Sequence, residues 1–234
     1  MLRLHVPAAP AADGTIVISA GERRHLGTLR LGPGDRFLVF DGQGTEHEVV
    51  LETLDRRTAL ARVVATRKPE RESALDLVLA PALLKGAKMD LVVEKATELG
   101  VTRIAPILTR HTIGHRADAA RWQRIALAAA KQSGRTRVPA IDPVVPLGQL
   151  LAVAWPGLRL IAWEGETTRR WNALPAAAAA VVAVVGPEGG FAPDEVGAAE
   201  AHGFLPVRLG ARVLRAETAT IVVAALCQHR FGDA

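Results

Sequence analysis

The chain has 234 residues, enough for one large domain or two small ones with a real core, and it carries 29 basic against 24 acidic side chains. It is 49% hydrophobic, yet no apolar run approaches a membrane span, and Met1–Pro7 is too short and too soon broken by proline to be a signal peptide. The single cysteine, Cys227, excludes an internal disulfide framework and a cysteine-rich zinc site, so a soluble cytoplasmic protein is expected.

Charge is unevenly spread. Residues 1–72 hold 11 basic and 10 acidic side chains, whereas residues 103–137 hold eight basic side chains against Asp118 alone. A one-signed stretch of this kind is an electrostatic footprint for nucleic acid, or else a solvated helix face. Arginine far outnumbers lysine; a GC-rich genome explains that as readily as RNA binding.

In chain order, residues 1–70 read as β. Thr15–Ile18 and Arg36–Phe40 are strands, Asp41–Gly44 is a hairpin turn, and Glu46–Leu51 and Thr58–Ala65 are further strands. A short helix is expected over Gly21–Leu26. Strands at this spacing predict a small barrel or sandwich. The charged, proline-bearing segment Thr66–Ser73 reads as a boundary between domains 1–70 and 74–234.

From Ala74 the pattern becomes α/β. Leu75–Ala80 is an apolar strand, Lys88–Leu99 a helix ended by Gly100, and Val101–Leu108 the next strand. Asp118 caps a helix running to about Ser133, and Leu147–Val153 is a short helix. Strands follow at Leu158–Trp163, Val181–Val185 and Leu205–Leu209, with a helix from Pro193 to Gly203 and a last one from Ala216 to His229. Alternating strands and helices predict a parallel sheet covered on both faces.

Two glycine-bearing loops stand out, Gly186-Pro187-Glu188-Gly189-Gly190-Phe191 and Leu209-Gly210-Ala211-Arg212-Val213-Leu214-Arg215-Ala216-Glu217-Thr218-Ala219. Each follows a strand and precedes a helix, which is how α/β proteins place a ligand at the carboxyl end of a sheet. Neither has the phosphate-loop lysine or the dinucleotide glycine spacing. A ligand body held by backbone groups and apolar walls fits better, such as an adenosine between Leu209, Val213 and Leu214. His111 and His115 lack a neighbouring carboxylate, so no metal is expected. Cys227 reads as core rather than nucleophile.

These loops resemble the SPOUT (α/β-knot) methyltransferases, and among them the RsmE family. Lys85-Gly86-x-Lys88-Met89-Asp90, Glu94-Lys95-x-Thr97-Glu98-Leu99-Gly100-Val101 and Gln132-Ser133-Gly134-Arg135 extend the match, which covers about two-thirds of the chain from Leu83 on. The resemblance implies a carboxyl-terminal trefoil knot, an amino-terminal PUA-like barrel that binds RNA, S-adenosylmethionine as methyl donor, and a homodimer. It also implies methylation at N3 of a uridine in small-subunit ribosomal RNA, on the assembled particle. By the same resemblance Gly186, Glu188, Gly189, Gly190, Leu209, Gly210, Val213, Leu214 and Thr218 line the cofactor pocket. Arg135, Arg215 and Glu217 are the candidate catalytic residues. Lys85, Lys88, Arg110, Arg116, Arg121 and Arg124 are expected on RNA phosphates, with Arg23, Arg24 and Arg30 extending that track from the barrel. Two alternatives stay open: a SPOUT enzyme acting on another target (a ribose hydroxyl or a transfer-RNA base), and a non-catalytic RNA-binding assembly factor.

Overall fold

The structure is a computed structural model and describes residues 1–56, 58–113 and 117–234. The chain divides into two compact units, Met1–Glu72 with Ala130–Val138, and Ser73–Ala129 with Pro139–Ala234.

The first unit contains β1 (Arg3–His5), β2 (Thr15–Ile18), α1 (Ala20–Thr28), β3 (Arg36–Phe40), β4 (Glu46–Leu54) and β5 (Ala59–Arg67). Its sheet has the order β1-β3-β4-β5-β2, with β1 parallel to β3 and the other pairs antiparallel. Alternate residues point to one face, so Ile16, Ile18, Phe37, Val39, Val49 and Leu51 gather with Leu4 and Leu26 into one core. Among the described residues the outer strands β1 and β2 do not pair, so the sheet is an open half-barrel where a small barrel or sandwich was expected. The outer strands are only three and four residues long, which leaves little ladder with which to close.

Residues 130–138 join this unit through buried polar contacts. Arg135 donates from Nε and Nη2 to Glu72 Oε2 at 3.0 and 2.9 Å, while the Thr136 and Arg137 amides donate to Glu72 Oε1 at 2.8 and 2.9 Å. Arg3 pairs with Glu46 at 2.8 Å and also donates to the carbonyls of Ala130, Lys131 and Arg135.

The second unit is α/β. Its elements are β6 (Asp76–Pro81), α2 (Ala87–Glu98), β7 (Arg103–Ile104), β8 (Ile107–Leu108), α3 (Ala119–Ser133, whose last turn groups with the first unit), β9 (Ala140–Ile141), β10 (Val145–Pro146), α4 (Leu147–Leu151), β11 (Leu158–Ala162), β12 (Ala180–Val185), α5 (Pro193–Ala201), β13 (Leu205–Val207) and α6 (Ala216–Phe231). The six-stranded sheet has the order β13-β11-β12-β6-β7-β9, parallel throughout. Val78, Ile161, Val182 and Val184 pack with Leu147, Leu150, Val196 and Phe204 against α4 and α5. On the strands' other face, α6 packs on β6, β12 and α2. The continuous apolar strands of a parallel sheet follow from burial on both faces.

The expected strand Val101–Leu108 is two short ones in different sheets. Ala105 still donates to Leu79, but Pro106 has no N–H and the ladder ends there; β8 then pairs with β10. Helix ends follow local chemistry. Asp118 Oδ1 accepts the Arg121 amide at 3.0 Å, and Gly100, just past α2, takes a φ of 77°.

Candidate active site

Strands β13, β11, β12 and β6 are neighbours and parallel, so their carboxyl ends lie along one edge of the sheet. The loops leaving them therefore cluster there, which is where open α/β sheets bind ligands. Backbone bonds stitch these loops together: Ala82 to Val185 at 2.7 Å, Trp163 to Val207 at 3.1 Å and Arg208 to Arg169 at 3.0 Å.

The loop after β12 is tightly invested. His111 Nδ1 donates to the carbonyls of Gly189 and Gly190 at 3.0 and 3.1 Å, so that nitrogen carries a proton. A Cβ on Gly189 would sit 2.9 Å from the His111 Cβ. Gly190 has a φ of 68°, and a Cβ there would run into Glu164 Oε1. Arg110 forms a two-armed pair with Asp194, one arm at 2.8 Å, and its amide donates to Glu195 Oε1 at 2.8 Å. That guanidinium holds the Asp194 carboxyl below its ordinary pKa.

Beside this loop lies a pocket of about 150 Å³, lined by Ala162, Trp163 and Glu164 after β11, by Arg208, Leu209, Gly210, Arg212, Val213 and Leu214 after β13, and by Ala219 of α6. Its walls are mostly apolar, with Glu164, Arg208 and Arg212 the charged residues among them. Arg208 folds back so that Nε donates to the Gly210 carbonyl at 2.8 Å, bracing the loop. Val213 is 82% exposed, an apolar side chain left for a ligand or partner to cover. A second cavity of about 370 Å³ shares Arg208, Leu209 and Gly210 and adds Arg170, Trp171, Asn172 and Ala211. The buried Trp171 indole N–H has no hydrogen-bond partner among the described residues. The turn leading from Trp163 is pinned by Glu166, which accepts the amides of Arg169 and Thr168 and the Thr168 hydroxyl; these hold its carboxyl down to about 2.

Lys88, in the first turn of α2, donates to Glu188 Oε1 at 2.6 Å and stands 3.5 Å from Glu217 Oε2. The Glu188 carboxylate, helped by the charge of Glu217, holds the Lys88 ammonium above its ordinary pKa. Glu217 Oε2 is buried and has no hydrogen-bond partner among the described residues.

A model of the RNA methyltransferase domain matches residues 71–228. A curated relative from Synechocystis sp., named Ribosomal RNA small subunit methyltransferase E, is 35% identical, with 95% of this chain and 76% of that protein covered. The chain belongs to that family. A relative of the same name from Mycobacterium bovis is 32% identical over 93% of this chain and 87% of its own. A crystal structure of a Ribosomal RNA small subunit methyltransferase E from Neisseria gonorrhoeae, bound to S-adenosyl methionine, superposes with a TM-score of 0.93 at 33% identity, covering 100% of this chain and 99% of that one.

For this member of the methyltransferase E family, the geometry sorts the expected site residues. Leu209, Gly210, Val213 and Leu214 line the pocket. Gly186, Glu188, Gly189 and Gly190 form the adjoining loop and do not line it; Thr218 is exposed beside the lining residue Ala219. Trp163, Glu164, Arg208 and Arg212 also line the pocket, and Trp163-Glu164-Gly165 follows an apolar strand just as the two glycine-bearing loops do. Arg215 is exposed and precedes α6, whose first turn carries Glu217. Arg135 is 4% exposed and lies in the first unit, its guanidinium committed to Glu72. Of the expected phosphate contacts, Lys85 and Arg124 are exposed without an ion pair among the described residues, while Arg121 is paired with Asp90 at 2.7 Å and Arg110 with Asp194. Arg24 and Arg30 are exposed in the first unit, and Arg23 donates to the Asp55 carbonyl. Arg116, like His115, lies outside the described residues.

Proposed function

We propose that this protein transfers a methyl group from S-adenosylmethionine to N3 of a uridine in small-subunit ribosomal RNA, with the assembled particle as substrate. One observation carries the reading: the pocket sits on the carboxyl edge of a parallel sheet inside the segment matched by the RNA methyltransferase model. The relatives are named for small-subunit ribosomal RNA, and the Neisseria gonorrhoeae structure is described as bound to S-adenosyl methionine.

The residues present suit that cofactor. Leu209, Val213, Leu214 and Ala219 offer apolar walls for a purine, and Glu164 offers a carboxylate to hydroxyl groups. The glycine backbone allows close approach, as the contacts of Gly189 and Gly190 illustrate. The cofactor supplies the methyl group as an electrophilic sulfonium.

The uracil N3–H is a weak acid, and its proton must leave before or during attack. Holding N3 in line supplies most of the acceleration. Arg212 and Arg215, exposed around the loop after β13, favour the uridine anion electrostatically. Glu217 is the carboxylate closest in sequence to that loop and is our candidate proton acceptor or orienting group. In the second unit Lys85 and Arg124, with Arg110 and Arg121 released from their exposed pairs, bind backbone phosphates; Arg23, Arg24 and Arg30 do so in the first unit. The target base leaves its stack to reach the pocket.

We extend the reading to a knotted carboxyl-terminal domain, a PUA-like amino-terminal domain and a cytoplasmic homodimer. The half-buried Ile221, Val222, Ala225 and Leu226 on α6 support an apolar contact with a second copy. No helix among the described residues is long and apolar enough to cross a membrane.

The test is to incubate the protein with labelled S-adenosylmethionine and either small subunits or naked RNA, then map the modified nucleotide. A single N3-methyluridine, formed on the particle, is expected. Methylation of a ribose or of another base would refute the target. Absence of cofactor binding in calorimetry would leave only an RNA-binding role.

A further inference from the structure

The two motif loops are joined by a cation that belongs to neither. Glu188 lies in the loop after β12, Glu217 lies at the start of α6 just past the loop that lines the pocket, and Lys88 reaches both from α2. Without a cation between them, the two carboxylates would repel each other. The demand is sharpest at Glu217 Oε2, which is buried without a hydrogen-bond partner among the described residues and has the Lys88 ammonium 3.5 Å away.

If Lys88 turned to a phosphate, two carboxylates would lose their shared cation, and one of them is Glu217 with its buried Oε2. The geometry points to Lys88 as a positioning residue for methyl transfer: it fixes the loop after β12 against the start of α6 and so sets the shape of the cofactor pocket, instead of gripping RNA. This inference rests on the cofactor reading above. The Lys88 and Glu188 side chains are 37% and 47% exposed, so their pair adds little to global stability. The effect belongs to the pocket.

Calorimetry with S-adenosylmethionine on the full chain, paired with a salt titration of RNA binding, tests it. Lys88→Met is expected to weaken cofactor binding about fivefold, the upper end of what a partly exposed ion pair contributes. Lys88→Arg restores most of that affinity. Lys95→Met, which breaks an ion cluster confined to α2, leaves it unchanged. The salt slope of RNA binding stays at the wild-type value in Lys88→Met. Cofactor affinity within twofold of wild type in Lys88→Met would overturn the inference, most clearly if the RNA salt slope fell by about one, the signature of a lost phosphate contact. Should Lys88→Met lower the melting temperature, a cycle with Glu188→Gln decides: coupled losses of cofactor affinity support the role, and additive losses overturn it. Failure of the wild-type protein to bind the cofactor is a separate outcome and refutes the cofactor reading itself.

Discussion

Removing Glu72 separates a structural Arg135 from a substrate-contacting one. Glu72 accepts four hydrogen bonds at 2.8–3.0 Å, two from Arg135 and one each from the Thr136 and Arg137 amides. The Arg135 side chain is 5% exposed and that of Glu72 15%. Glu72→Ala therefore takes the carboxylate away from a buried guanidinium, and breaking such a pair from one side costs about 3–5 kcal/mol. The amide of the fully buried Thr136 adds about 1–3 kcal/mol when it loses its acceptor, and the amide of the exposed Arg137, which water can reach, adds less. Arg135→Ala leaves the carboxylate its two amides but no countercharge and loses up to a similar amount, while Glu72→Gln keeps an acceptor and loses about 2 kcal/mol, the worth of a hydrogen bond to a charged group. Urea titration followed by far-ultraviolet circular dichroism measures this, with midpoints shifting at unchanged slope. If Arg135→Ala left the urea midpoint untouched while abolishing methylation, the structural assignment would be wrong and Arg135 would belong to the substrate site.

Gly190→Ala forces a side chain into a left-handed conformation at about 1–2 kcal/mol and pushes Glu164 away from the pocket. Cofactor affinity should drop at least several-fold, and an unchanged dissociation constant in calorimetry would remove this loop from the site. Cys227 is fully buried, and burial pushes its thiol up to about 12. At pH 8 the native protein should resist iodoacetamide and react once unfolded in urea; rapid native labelling would contradict the packing of α6. His5 and His47 have pKa values lowered by burial in the first unit. The unfolded chain therefore binds protons more readily than the folded one below about pH 6.5, and stability should fall as pH drops through that value. His47→Gln should flatten part of that slope in urea titrations from pH 7.5 to 5.5, and an unchanged slope would argue against a buried neutral imidazole.

Much of this molecule is legible in one dimension because its signals are local. Val181–Val185 announces a strand buried on both faces, and Pro193 with Asp194 and Glu195 announces a helix start. Gly186–Phe191 and Leu209–Ala219 mark loops at strand ends, with Leu209, Gly210, Val213 and Leu214 on the pocket wall. The strand β1 leaves little trace in the sequence, because only Leu2, Leu4 and Val6 alternate before Pro7 interrupts. The splitting of Val101–Leu108 turned on which neighbour each half met, and periodicity carries no record of that.

The charged residues were the least legible. Composition and spacing determined that arginines crowd residues 103–137 and that Lys88, Glu188 and Glu217 stand at motif positions. Which charge meets which was decided only by the tertiary structure. It committed Arg135 to Glu72, Arg121 to Asp90 and Lys88 to two carboxylates, and it brought Trp163 and Glu164 to a pocket wall more than 40 residues upstream of Leu209. Strand and helix patterns depend on residues a few positions apart, so the chain carries them by itself. An ion pair or a composite pocket depends on groups that only strand order brings within a few ångströms.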